Sequence, residues 1–206
     1  PDVNVWQGTS LASRERGQPA QLTISYFIGA PAPTVLALRQ GHNMVSFPLL
    51  PENPSLEAVL APIADLVLGV WAYDSADAAS PWKVYVPGSP VNSLTTIDPR
   101  WGYWIEVSQD ATLPLQGSVP GPQTIALHSG WNLIGFPCQS ERGIAQALAS
   151  IADHVTIAWH FDAADPIDPW NRYVPGAPAW TITLDKLAPT RGYWIMVDRN
   201  CSLVLP

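Results

Sequence analysis

The stretch Gly130-Trp131-Asn132-Leu133-Ile134-Gly135-Phe136-Pro137 decides the fold because a version of it occurs twice. The related stretch Gly41-His42-Asn43-Met44-Val45-Ser46-Phe47-Pro48 lies 89 positions earlier. Both belong to longer apolar segments that match each other, residues 36–49 and residues 125–138. Similarity of this kind at a fixed spacing is typical of tandem structural repeats.

Further blocks return in the same order along the chain. Trp71-Ala72-Tyr73-Asp74 matches Trp159-His160-Phe161-Asp162 at an offset of 88, and Gly102-Tyr103-Trp104-Ile105 matches Gly192-Tyr193-Trp194-Ile195 at an offset of 90. Loops are expected between the blocks, where the offset changes. The sequence therefore predicts three parts, which are an N-terminal strand segment or linker at 1–33, module 1 at 34–119 and module 2 at 120–206.

Within a module, most apolar residues alternate with the period of a strand. The predicted strands of module 1 are residues 35–47, 68–73, 82–86, 103–107 and 113–115. Residues 56–63 follow helical spacing with Ser55 as N-cap, and residues 144–151 are their counterpart. We predict a strand-dominated α+β fold of two homologous modules of about 90 residues, each a small antiparallel sheet or barrel-like unit with one helix.

The lead segment contains a strand that resembles the end of a module. Residues 20–24 are similar to residues 111–115 and 201–205, which are the predicted closing strands. Either a preceding domain has been removed, or this lead strand completes a sheet elsewhere. In the second case a subunit donates the strand to its neighbour by β-augmentation, through Leu22, Ile24, Tyr26 and Ile28.

Composition disfavours two classes of partner. The formal net charge is −7, with only two lysines and eight dispersed arginines, so no basic stripe is available for nucleic acid. The same acidity disfavours anionic membrane surfaces. No apolar run approaches the roughly 18–20 residues that a membrane-spanning helix requires.

The paired signatures Gly-Trp-Asn-Leu with Pro, at 130–137, and Gly-Tyr-Trp-Ile, at 192–195, carry a family resemblance. The chain resembles, over about residues 35–206, the tandem repeats of secreted, multimodular bacterial surface proteins. Module 1 departs at His42 and Met44, which replace Trp and Leu. The resemblance implies an extracellular or cell-surface location and provides no catalytic residues.

Tryptophan is the most informative residue type. Six of the ten tryptophans pair between modules, and a position occupied by Trp in both copies is expected to fill the core. These structural aromatics are Trp71, Trp82, Trp104, Trp159, Trp170 and Trp194. The other four have no Trp counterpart and are candidates for contact with a sugar ring or a neighbouring subunit. They are Trp6, Trp101, Trp131 and Trp180.

Two further groups of residues have alternative interpretations. Asp162, Asp165 and Asp168 lie in one predicted hairpin loop, where carboxylates either cap turns or bind calcium. Cys138 and Cys201 lie only in module 2, and they are either a disulfide that closes a long loop or two unrelated buried thiols. A disulfide would indicate an oxidising compartment.

No catalytic motif is recognisable. The four histidines have no metal-binding or triad spacing, and no phosphate-binding glycine loop is present, so a non-enzymatic function is predicted. The favoured hypothesis is an extracellular structural protein that self-associates head to tail into filaments or a surface layer. The alternatives are a carbohydrate-binding or adhesive tandem module that binds polysaccharide, and a non-catalytic appendage of a larger secreted enzyme.

Overall fold

Alternating apolar residues and tight turns give module 1 six short strands. The computed structural model describes residues 34–205, so Trp6 and the predicted donor residues Leu22, Ile24, Tyr26 and Ile28 lie outside the described residues. The strands are β1 (Thr34–Leu38), β2 (Gly41–Ser46), β3 (Val67–Tyr73), β4 (Trp82–Tyr85), β5 (Gly102–Val107) and β6 (Ala111–Leu115). They form an antiparallel sheet of order β2-β5-β3-β4 and a separate β1-β6 ladder.

Module 2 repeats this arrangement. Its strands are β7 (Gln123–Leu127), β8 (Gly130–Ile134), β9 (Arg142–Gly143), β10 (Val155–Phe161), β11 (Trp170–Tyr173), β12 (Lys186–Leu187), β13 (Tyr193–Val197) and β14 (Cys201–Leu205). The main sheet has the order β8-β13-β10-β11, and β7 pairs with β14. The short strands β9 and β12 pair with each other. The strand-dominated α+β fold with small antiparallel sheets is therefore confirmed.

The predicted helices are present but shorter in their α-helical part. Helix α1 (Leu56–Leu60) continues as a 3₁₀ helix at Ala61–Leu66, where Pro62 removes one backbone donor. Ser55 caps α1 as predicted, because its hydroxyl accepts a hydrogen bond from the Ala58 amide. Helix α2 (Ile144–Ala147) is followed by 3₁₀ turns at Ala149–Ile151 and Ala179–Thr181. Among residues 34–205, no helix has the length and apolar character needed to span a bilayer.

The opening strand predicted at 35–47 is wrong in one respect, because a turn divides it into β1 and β2. Gly41 has a φ of 92°, a conformation that side-chain-bearing residues rarely adopt. The buried Asn43 side chain holds the turn, since its amide donates to the carbonyls of Arg39 and Gly41 and its oxygen accepts from the Arg39 amide. Gly130 and Asn132 reproduce the turn in module 2.

Each module has its own hydrophobic core between the main sheet, the two-stranded ladder and the helix. In module 1 the core contains Phe47, Leu56 and Tyr103, and in module 2 the corresponding residues are Phe136 and Tyr193 beside Ile144. The hydroxyls of the two buried tyrosines accept hydrogen bonds from the backbone amides of Asp98 and Ala188, both at 2.7 Å. The polar end of each tyrosine is therefore satisfied inside the core.

The two modules meet through their backbones, in reciprocal contacts that relate them as a pseudo-two-fold pair. The Ser46 amide donates to the Thr190 carbonyl at 2.8 Å, and the equivalent Gly135 amide donates to the Arg100 carbonyl at 2.9 Å. Isolated bridges join Val45 to Arg191 and, equivalently, Trp101 to Ile134. These particular backbone contacts are therefore made in both directions between the modules.

Glycine is required where the backbones approach most closely. A Cβ atom at Gly102 would lie 2.6 Å from the carbonyl oxygen of Ile134, and a Cβ at Gly192 would lie 2.7 Å from that of Val45. Real Cβ atoms do not approach backbone oxygens so closely. The first residue of the repeated Gly-Tyr-Trp-Ile signature therefore serves the contact between modules.

We predict that Gly192→Ala and Gly102→Ala each lower the free energy of unfolding by about 1–3 kcal/mol, because the new methyl group overpacks the inter-module contact. Gly121→Ala is the control, since a Cβ there meets no atom within 4 Å. Urea unfolding followed by circular dichroism measures the difference. Equal stability of Gly192→Ala and Gly121→Ala would contradict the assignment.

His160 distinguishes the core of module 2 from that of module 1, where Ala72 occupies the same position. Its side chain is buried, and Nδ1 lies 3.0 Å from the Gly192 carbonyl oxygen, to which the neutral ring donates. Burial lowers the pKa of His160 to about 4. The unfolded chain therefore binds a proton more readily than the folded chain between pH 6.5 and 4.

We predict that this histidine makes the fold acid-sensitive. Above pH 6.5 the contribution of neutral His160 to the free energy of unfolding is complete. It is lost as the pH falls toward 4, which lowers the free energy of unfolding by about 3 kcal/mol. Urea unfolding of the wild type and of His160→Ala at pH 7.5 and 4.5 tests this. The variant should lose less stability than the wild type between the two pH values, and an identical loss would show that His160 is not responsible.

Candidate functional site

The six repeated tryptophans are not in the cores, so the predicted core placement is wrong. Trp82 and Trp170 are 45% and 41% exposed, and the other four are only half-buried. Strand alternation gives the reason. Val70, Ala72 and Ile105 face the core of module 1, and Trp71 and Trp104 therefore face the opposite side of the sheet.

On that opposite side the tryptophans of one module contact aromatic rings of the other. Trp194 lies 5.2 Å from Tyr73 and 5.9 Å from Trp82 between ring centroids. The reciprocal contacts join Trp104 to Phe161 at 5.3 Å and to Trp170 at 6.1 Å. The rings cross at large angles, which leaves aromatic faces and edges directed into the spaces between them.

One of these spaces is a cavity of about 440 Å³, here called the Trp131 pocket. Its lining residues are Tyr73, Trp82, Trp131, Trp159, Trp170 and Trp194. Four of them come from module 2, and the hairpin β3-β4 of module 1 supplies the other two. Indole N–H groups and one tyrosine hydroxyl are the polar groups that these six side chains offer.

The second space is a cavity of about 380 Å³, here called the His42 pocket. Its lining residues are His42, Trp71, Trp82, Trp104 and Phe161. Each is the repeat counterpart of a Trp131-pocket residue, so the two pockets are related by the same pseudo-two-fold operation as the modules. Trp82 lines both pockets and therefore connects them.

The two pockets differ in chemistry at a few positions. His42 replaces Trp131, and Phe161 replaces Tyr73. Beside His42, Glu106 is its direct cross-strand partner, with a carboxylate oxygen 3.9 Å from the histidine Nε2. At the matching place in module 2, Met196 is the partner of Trp131. Of these two cross-strand pairs, only the one at the His42 pocket contains a carboxylate.

The three unpaired tryptophans within residues 34–205 have different positions. Trp131 is 40% exposed and lines the pocket named after it. Trp101 is half-buried, packs against the core of module 1 and bridges to Ile134. Trp180 is 86% exposed on the 3₁₀ turn Ala179–Thr181 and lines neither aromatic pocket. Of the predicted ligand contacts within residues 34–205, the structure thus brings only Trp131 into the candidate site.

Two of the three aspartates of the second hairpin loop, Asp162 and Asp165, cap turns. Asp162 accepts a hydrogen bond from the Ala164 amide, and Asp165 accepts from the amides of Ile167 and Asp168. These backbone donors lower the pKa of Asp165. Within residues 34–205, no group of three or more acidic, histidine or cysteine side chains is placed to hold a metal ion. The turn-capping interpretation describes this loop, and the geometry gives the calcium interpretation no support.

No disulfide joins the two cysteines in the described part of the chain. Cys138 is buried in the core of module 2, and Cys201, the first residue of β14, packs against the same core. Burial raises the pKa of both thiols. Their counterparts Leu49 and Ala111 occupy similar sites in module 1, so both positions serve apolar packing.

One polar cluster between the modules was not predicted from the sequence. The Ser75 hydroxyl lies 2.7 Å from Asn132 Oδ1 and 3.1 Å from His128 Nδ1. The Asn132 amide nitrogen donates to the carbonyls of His128 and Gly130, which turns its oxygen toward Ser75. Ser75 then donates its single proton to Asn132, and His128 donates to Ser75. In this arrangement His128 does not act as a base toward Ser75. The cluster attaches the β3-β4 hairpin of module 1 to module 2.

No protein-family model, curated protein or solved structure matches this chain. The resemblance to secreted bacterial surface repeats therefore rests on the sequence signatures alone and stays a prediction.

Proposed function

We propose that this chain is a non-catalytic carbohydrate-binding module of an extracellular or cell-surface protein. The observation that carries the proposal is the Trp131 pocket, the first of the two solvent-accessible aromatic pockets between the modules. Trp131, Trp82 and Trp170 are each about two-fifths exposed at the first pocket, although a soluble protein normally buries such large apolar side chains. Exposed aromatic clusters of this kind mark binding surfaces.

The chemistry of the Trp131 pocket suits a sugar ring. A pyranose presents an apolar C–H face that packs on an indole ring, and its hydroxyls accept hydrogen bonds from indole N–H groups. Rings fixed by neighbouring rings, as Trp194 is by Tyr73, Trp82 and Trp131, lose little conformational entropy when a ligand binds.

We predict that Trp131→Ala weakens binding to a recognised polysaccharide by about tenfold, because one stacking wall is lost. Trp180→Ala is the matched control, since this tryptophan is exposed but lines neither pocket. A glycan array identifies the ligand, and affinity electrophoresis in gels containing that polysaccharide measures both variants. Absence of binding to any glycan, or equal retention of Trp131→Ala and wild type, would overturn the proposal.

A second candidate function is self-assembly by strand donation, the structural role predicted from the sequence. The observation in its favour is that the ladders β1-β6 and β7-β14 each contain two strands, which leaves outer edges free of strand partners within residues 34–205. Val35 and Val204 are about half exposed on these ladders. Unpaired strand edges accept an additional strand readily, and residues 20–28 resemble the closing strands that already pair there.

We predict under this second candidate that deletion of residues 1–33 abolishes concentration-dependent assembly and leaves both modules folded. Light scattering coupled to size-exclusion chromatography measures the mass, and circular dichroism confirms the fold. A full-length chain with Ile24→Asp isolates the role of the strand from that of chain length. Assembly that survives both changes, or a wild type that stays monomeric at every concentration, would eliminate strand donation.

A further inference from the structure

The His42 pocket and the Trp131 pocket have the same framework but not the same electrostatic character. In the His42 pocket the aromatic walls are Trp71, Trp104, Trp82 and Phe161, and the carboxylate of Glu106 lies next to His42 at one side. In the Trp131 pocket the positions of His42 and Glu106 are taken by Trp131 and Met196. A duplication has thus produced one neutral pocket and one pocket with a negative charge beside it.

We infer that the His42 pocket binds a quaternary ammonium group, such as the trimethylammonium head of choline, separately from the carbohydrate site. The faces of aromatic rings carry negative partial charge, and a cation enclosed by several rings is stabilised by each of them. A quaternary ammonium suits such walls because its methyl groups are apolar and it has no N–H donors to satisfy. The pocket is open to solvent on one side, and its volume of about 380 Å³ is large enough to admit this group.

The arrangement of side chains on the sheet supports the assignment. His42 stacks on Trp71 with ring centroids 6.0 Å apart and meets the edge of Trp104 at 6.3 Å. Glu106 follows Trp104 on the same face of β5 and is paired with His42 across the strands. The carboxylate is therefore held beside the aromatic walls.

The surrounding charge also favours a cation. The chain carries a formal net charge of −7, so its overall field attracts positive ligands and repels anions. Arg191 lies 3.6 Å from the Asp162 carboxylate, which offsets its charge. The Glu106 carboxylate lies beside the His42 ring, 3.9 Å from Nε2.

The experiment titrates the full chain with choline at pH 8 and follows the tryptophan fluorescence and the NMR shifts of the indole N–H groups. The matched ligand control is 3,3-dimethylbutan-1-ol, which has the same shape as choline but carbon in place of the charged nitrogen. We expect choline to bind about tenfold more tightly than this neutral isostere. Equal affinity for the two would overturn the inference, because it would reduce the site to an apolar cavity.

Variants separate this site from the carbohydrate site. Glu106→Gln keeps the size of the side chain and removes its charge, and we expect it to weaken choline binding several-fold while glycan binding is unchanged. Trp131→Ala should weaken glycan binding and leave choline binding intact. Choline affinity that is unaffected by Glu106→Gln, or no saturable binding of choline by the wild type, would overturn the inference. A wild type that binds choline but no glycan would overturn only the proposed function.

To separate possible natural sources of the group, the same titration uses free glycine betaine, a peptide containing trimethyl-lysine, and vesicles of phosphatidylcholine. Binding of all three would show that the pocket recognises the shared cation alone. Preference for one source would identify the ligand to which that cation is attached. Failure of every source, together with failure of choline, would again overturn the inference.

Discussion

The structure depends on a close approach of two backbones, at which Gly102 faces the carbonyl of Ile134 and Gly192 faces that of Val45. A side chain at either glycine would separate the modules by forcing the strands apart. Because these contacts fix the modules at short range, the aromatic rings on the facing sheets meet across the interface. The pockets therefore depend on backbone packing, because the glycines allow the close approach that brings the tryptophans of the two modules into contact.

Much of the fold was predictable because the repeat is readable in the sequence. The matched apolar blocks predict where the strands of each module lie along the chain, and Ser55 identifies the start of α1. The turn that separates β1 from β2 was missed, although Gly41 and Asn43 are the residue types such turns require. An apolar stretch on each side of the turn gave the impression of one long strand.

The candidate site was harder to predict. Repetition of Trp71, Trp82 and Trp104 in module 2 indicates a shared requirement, but repetition alone does not distinguish a core from an interface. The strand pattern contained the distinction, because Val70 and Ala72 flank Trp71 and Trp71 must then face the other side of the sheet. The tryptophan-bearing faces of the two main sheets contact each other, for example through Trp104 and Phe161. This contact depends on long-range packing and not on any local sequence pattern.

The reciprocal contacts between the modules have an evolutionary consequence. A single module with this surface is self-complementary, so an ancestral one-module protein is expected to form the same interface as a homodimer with two identical pockets. Fusion of the two copies into one gene frees each half from that identity, since a substitution then changes one half alone. Divergence between His42 and Trp131 is a change that a symmetric dimer cannot make and a fused chain can.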